Sequence, residues 1–163
     1  MIGNDIVDLA LARKESNWKR NRFLDKIFTK NEQQIILNDV NPEIMVWNLW
    51  SRKEAAYKIY NRETGIRGFF PLQLECSFEN VTMGTVYIKK KIYFTQSKIK
   101  NDSIYTISVV EKEYFKKIIR IDTAEEILKK NGIPFIIDFE TKTDKPVSIT
   151  HHGRFWKGIT LMD

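Results

Sequence analysis

The chain is poor in cysteine: Cys76 is the single thiol among 163 residues. One thiol cannot close an internal disulfide, so the fold rests on its core, and the composition suits a reducing compartment. Cys76 sits in the strand-like run Leu72 to Phe78 and reads as a small buried hydrophobe, not a nucleophile. No apolar run approaches the length of a membrane span, and Met1-Ile2-Gly3-Asn4-Asp5 lacks the basic and apolar regions of a secretory leader. The expectation is a cytoplasmic protein with no membrane partner. Low-complexity tracts, internal repeats and obvious linkers are also missing. With 42% hydrophobic residues, the chain is expected to build one core and one domain over residues 1–163.

Acidic residues are the minority charge, 21 against 27 basic ones, for a net +6 and a pI near 9.3. Such a balance favours anionic partners: nucleic acid, a phosphorylated small molecule or an acidic protein. Lys89-Lys90-Lys91, flanked by Tyr87, Ile88, Ile92, Tyr93 and Phe94, has the look of a nucleic-acid platform. The plainer reading is a long strand, Gly84 to Thr95, with one solvated face. A second basic run, Arg13, Lys14, Lys19, Arg20 and Arg22, is opposed only by Glu15. It is either a solvated face or a docking surface for an acidic protein.

Met1 to Leu9 alternates and reads as a strand ending at about Asp8. Thr29-Lys-Asn-Glu32 has capping-box spacing and opens a helix through about Leu37. Asn41 and Pro42 supply a cap and a first helical residue, and neither glycine nor proline interrupts the chain before Gly65, so a long helix runs to about Arg62. Strands follow at Leu72 to Phe78, Gly84 to Thr95 and Ile104 to Val110, with Lys100 to Ser103 as a turn. Thr123-Ala-Glu-Glu126 repeats the capping-box spacing and predicts a helix closed by Gly132. Ile133 to Phe139, Pro146 to Thr150 and Phe155 to Leu161 read as strands. The hairpin signals predict an α+β fold, an antiparallel sheet packed with a long central helix.

On that helix Val46, Leu49, Trp50, Ala56, Tyr57 and Tyr60 share a core-facing arc, and Trp47, Ser51, Glu54 and Lys58 the neighbouring one. Glu54 and Lys58, at i and i+4, are spaced for a surface ion pair worth about 0.3 kcal/mol. Lys53 falls within the apolar arc, where it must snorkel out or meet an anion.

Trp50-Ser51-Arg52-Lys53-Glu54-Ala55-Ala56-Tyr57-Lys58 resembles the W-S-x-K-E-A-x-x-K signature of the 4'-phosphopantetheinyl transferase superfamily. Gly3-Asn4-Asp5 resembles its G-x-D, and Ser148-Ile149-Thr150-His151 its S-x-S-H. The resemblance implies transfer of the phosphopantetheine arm of coenzyme A to a serine of an apo acyl carrier protein, releasing 3',5'-ADP. It implies Mg²⁺ held by Asp5 and Glu54, with Mn²⁺ satisfied by the same oxygens. Glu54 and Lys58 are its candidates for the base, and Lys53, Lys58 and His151 its contacts to the phosphates of coenzyme A. Arg13 and Lys14 then dock the acidic carrier, and no nucleic acid is involved. Val7 stands where larger members place a third acidic ligand, leaving a water or Asp8 to complete the shell. The order of signatures resembles the short holo-acyl-carrier-protein synthases, which form homotrimers with sites between subunits; the extra Glu111 to Asp144 region bears on that interface. Two other readings are a basic nucleic-acid module and an inactive binder of coenzyme A or carrier. The retained Asp5, Glu54 and Lys58 argue against the second, because like charges kept together are costly.

Overall fold

The structure is a computed structural model that describes residues 1–162. It contains two five-stranded sheets, antiparallel throughout, with helices packed on the first. Strand β1 (Ile2–Asp8) is followed by α1 (Leu9–Glu15), α2 (Phe23–Ile27), α3 (Lys30–Asn38) and α4 (Pro42–Thr64). Next come β2 (Leu74–Phe78), β3 (Met83–Ile88), β4 (Lys91–Ile99) and β5 (Ser103–Val109). Sheet order is β1-β5-β4-β3-β2, so β1 lies at an edge. The second sheet, β6 (Ile118–Ile121), β7 (Leu128–Lys130), β8 (Ile133–Ile137), β9 (Asp144–His152) and β10 (Phe155–Leu161), has the order β6-β10-β9-β8-β7.

The helix boundaries follow from their caps. Asn41 Oδ1 accepts from the Ile44 amide at 3.3 Å, and Gly65 ends α4 with φ 70°, its N–H donating to Asn61 O at 2.8 Å. Thr29 and Glu32 form the expected capping box at α3. The basic run from Arg13 to Arg22, read as a solvated face or a docking surface, starts in α1 and continues through the loop to α2.

Helix α4 is enclosed far beyond one stripe. Val46, Leu49, Ala55, Ala56 and Ile59 are sealed in the core, and Trp47 and Ser51, on the arc beside the core-facing one, are buried too. Each fully buried aliphatic contributes roughly 1.5–3 kcal/mol of transfer free energy. A smaller cluster, Ile2, Val109 and Ile159, joins the two sheets.

Two predicted elements are corrected. Gly84 to Thr95 is a hairpin, not one strand: Ile88 pairs with Lys91 across a two-residue turn in which Lys89 has φ 53°. Lys91 is tied to Glu63 Oε2 at 2.6 Å. The helix predicted from Thr123 to Gly132 does not form. Asn131 and Gly132, at φ 52° and 77°, make the tight turn of the β7–β8 hairpin. Asn-Gly is a strong two-residue hairpin signal, and it wins over the reading of Gly132 as a helix cap.

Candidate active site

Every residue of β1 is buried although the strand is at a sheet edge, so its outward N–H groups need partners. Alternate side chains of β9 supply them. The Asn4 amide donates to Ser148 Oγ at 3.0 Å, that of Ile6 to Thr150 Oγ1 at 3.3 Å, and that of Asp8 to His152 Nδ1 at 2.8 Å. His152, which no motif singled out, is thus an anchor of the strand. Its signal was the i, i+2 alternation with Ser148 and Thr150.

Helix α4 holds β9 from a second side. Lys58 Nζ donates to Ile149 O at 3.1 Å and to Asn4 O at 2.7 Å, and Arg62 Nη2 donates to Val147 O at 2.6 Å and Pro134 O at 3.1 Å. Four residues of helix rise about 6 Å and two of strand about 6.7 Å, so the spacing of the cations fits that of the carbonyls.

Odd residues of β1 face α4. A Cβ at Gly3 would collide with the Ala55 carbonyl, so glycine there lets strand and helix close together and brings Asp5 to the Glu54–Lys58 turn. Asp5 Oδ1 accepts from Thr150 Oγ1 at 3.2 Å and lies 3.9 Å from Lys58 Nζ, and Asp5 Oδ2 is buried without a partner. Burial pushes the Asp5 carboxyl above its ordinary range, partly countered by Lys58. Glu54 makes no hydrogen bond among the described residues; burial first, then the neighbouring Asp5 charge, push it up to about 7. Burial also lowers Lys58 from its usual value, opposed by Asp5 and Glu54. The expected Glu54–Lys58 ion pair gives way to the longer Lys58–Asp5 contact.

Asp5, Lys58 and His151 line one cleft of about 440 Å³, which lies between α4 and β1 on one side and the second sheet on the other. His151 is exposed there.

Three expected participants are engaged by other residues of the chain. Lys53 is corrected: its side chain has 0% exposure, and its ammonium donates to Glu32 Oε2 at 2.6 Å, Pro71 O at 2.8 Å and Ile27 O at 2.9 Å. With all three protons used inside the protein, it cannot reach a substrate phosphate. Glu32 also accepts from the Thr29 and Cys76 amides, each at 2.8 Å, which closes the network. Asp8 cannot complete a metal shell. It caps α1 through the Ala10 and Leu11 amides and binds Arg154 twice at 2.9 Å, and the Arg154 guanidinium holds it well below the usual carboxylate range. Arg13 is engaged by Glu43 in a bidentate pair, whereas Lys14 is exposed. Among the described residues no cluster of three or more His, Cys, Asp or Glu side chains is arranged to hold a metal. Asp5 and Glu54 lie near enough for their charges to repel.

Glycine at position 3 thus sets the edge strand that carries Asp5 against the long helix that carries Glu54 and Lys58. The sequence model of the 4'-phosphopantetheinyl transferase superfamily matches residues 1–119, and the chain belongs to that superfamily. Among its relatives, the holo-[acyl-carrier-protein] synthase of Clostridium kluyveri is 32% identical over 105 residues, covering 64% of this chain and 75% of that protein. The fold is similar to that of the Helicobacter pylori holo-[acyl-carrier-protein] synthase solved with coenzyme A, with TM-score 0.55 and 17% identity over 68% of this chain and 100% of that one. The Thermotoga maritima synthase matches with TM-score 0.51 and 14% identity over 98% of this chain and 81% of that one. Asp5, Glu54 and Lys58 fall within the matched superfamily region; Ser148 to His151 lie beyond it.

Proposed function

We propose that this cytoplasmic protein transfers the 4'-phosphopantetheine arm of coenzyme A to a serine hydroxyl of an apo acyl carrier protein, with Mg²⁺ at Asp5 and Glu54. The observation that carries this reading is the carboxylate pair itself. Asp5 has a buried oxygen without a partner, and Glu54 is pushed up to about 7 beside it. Two oxygen donors that repel each other until a cation joins them fit a hard divalent ion. When bound, Mg²⁺ neutralises charge on the diphosphate of the substrate.

The serine oxygen forms a bond to the β-phosphorus, the bond from that phosphorus to the bridging oxygen breaks, and 3',5'-ADP leaves. Lys58, which donates to the Asn4 and Ile149 carbonyls and lines the cleft, supplies positive charge for the departing phosphate. Glu54, on the same helix face as Lys58, accepts the serine proton directly or through a water. His151 faces the same cleft and contacts the coenzyme. Arg13 and Lys14, on the helix that follows the Asp5 strand, dock the acidic carrier. Similarity to holo-acyl-carrier-protein synthases, one of them solved with coenzyme A, supports the choice of donor and acceptor. Assembly as a homotrimer belongs to the same proposal and is read by light scattering.

The test is the intact mass of an apo acyl carrier protein after incubation with this protein, coenzyme A and Mg²⁺, with an EDTA control. Addition of one phosphopantetheine arm, absent with EDTA, is expected. No addition to any of several carriers by folded protein would leave a binder of coenzyme A without transferase activity.

A further inference from the structure

The cleft has one wall from residues within the superfamily match and another from β7 to β9, beyond residue 119. The fully covered Helicobacter pylori chain accounts for only 68% of this one. The charge of the cleft is lopsided. Lys58, Arg62 and Lys129, with His151, face it against the single lining carboxylate of Asp5. No carboxylate of the described residues pairs with Arg62 or Lys129.

We infer that phosphate groups of coenzyme A are held in this cleft between Lys129 of the second sheet and Arg62 of α4. The inference rests on the proposal that coenzyme A is the donor. That donor brings a diphosphate and a 3'-phosphate, more negative charge than Lys58 can balance while it is bound to two carbonyls. Arg62 is half-buried, its charge met only by the carbonyls of Val147 and Pro134. A guanidinium kept partly out of water without a counter-ion gains from an anionic ligand.

Lys129 stands on the other side, opposite Pro134 in the β7–β8 ladder. The backbone beside it is held: Asn131-Gly132 makes a tight turn, and Arg67 Nη2 donates to Asn131 O at 2.5 Å. The wall cannot swing away, because Ser148, Thr150 and His152 hold β9 to β1 and Lys58 and Arg62 hold it to α4. Both walls belong to one chain. The volume of the cleft, about 440 Å³, is in the range of small-molecule sites.

The experiment is calorimetric titration of the full chain with coenzyme A, for the wild type, Lys129→Glu and Lys129→Arg, in low salt with EDTA. Lys129 is exposed, so reversing its charge leaves the core intact, which circular dichroism verifies. Lys129→Glu is expected to weaken binding at least tenfold, by a margin that narrows as salt is raised, while Lys129→Arg binds like the wild type. Titration with 3'-dephospho-coenzyme A assigns the contact: loss confined to coenzyme A marks the 3'-phosphate, equal loss for both marks the diphosphate. Wild-type affinity in Lys129→Glu would overturn the inference and leave the donor proposal standing. A wild type that binds no coenzyme A either in EDTA or with Mg²⁺ added would remove the donor proposal and this one with it.

Discussion

Gly3 lies against the Ala55 carbonyl of α4 so closely that no side chain fits between them. This contact fixes the distance at which Asp5 faces Glu54 and Lys58. Gly3→Ala must push β1 away from the helix. The expected outcome is a loss of about 1–3 kcal/mol in urea unfolding, with a fall in kcat of at least tenfold because the carboxylate pair opens. Full activity in a stable variant would mean that the pair tolerates a wider gap.

Glu54 gives stability a pH dependence of definite sign. Its folded value, about 7, lies above its ordinary 4.5, so between the two the folded state holds the extra proton. Stability in EDTA therefore falls as pH rises through that window, by on the order of 3 kcal/mol in full. Melting temperatures across the window read the slope, and Glu54→Gln should flatten it while abolishing transfer. Protons and Mg²⁺ compete for the same carboxylate, so Mg²⁺ affinity should rise as pH passes 7. A wild-type slope that persists in Glu54→Gln would assign the titration to another group.

Lys53 is a structural cation, and its replacement separates fold from chemistry. Lys53→Met leaves Glu32 buried and uncompensated, with an expected loss of roughly 3–5 kcal/mol in denaturant unfolding. Adding Glu32→Gln should recover part of it. In protein that remains folded, KM for coenzyme A should stay at the wild-type value; a rise confined to that constant would place Lys53 back at the substrate.

The carrier surface is open to a charge test. Reversing Arg13 and Lys14 together should raise KM for the carrier about tenfold, less at high salt, and leave KM for coenzyme A unchanged. Lys14 should dominate, since Glu43 already balances Arg13. An unchanged carrier constant would move docking off α1.

The sequence reading recovers the elements whose signals are local and uncontested. The Asn41-Pro42 start and Gly65 end of α4, the Thr29–Glu32 capping box and the β10 run are all present in the structure. It fails where two local signals compete, as at Asn131-Gly132, and where a turn uses residues that do not advertise one, as at Lys89-Lys90. Asp5 and Glu54 are legible through motifs, but the reason they meet lies in Gly3 and is tertiary. Lys53 is misread because helical periodicity tells which face a lysine occupies and not which buried acid waits there. Arg62 is one turn beyond Lys58 on the same face, and that spacing was the available sign. Lys129 had none, since its element was read as a helix.

The match between cations spaced i, i+4 on α4 and carbonyls spaced i, i+2 on β9 makes the helix a gauge for the strand's register. A slip of β9 by one residue would turn the Val147 and Ile149 carbonyls away from Arg62 and Lys58 and bring Ile149 and His151 round to the β1 edge in place of Ser148 and Thr150. A single-residue insertion within β9 therefore breaks the hydrogen bonds by which that strand is held to β1 and α4. The turn between β8 and β9 is set separately, by Asp138 Oδ1 accepting from the Glu140 and Thr141 amides at 3.0 and 2.8 Å.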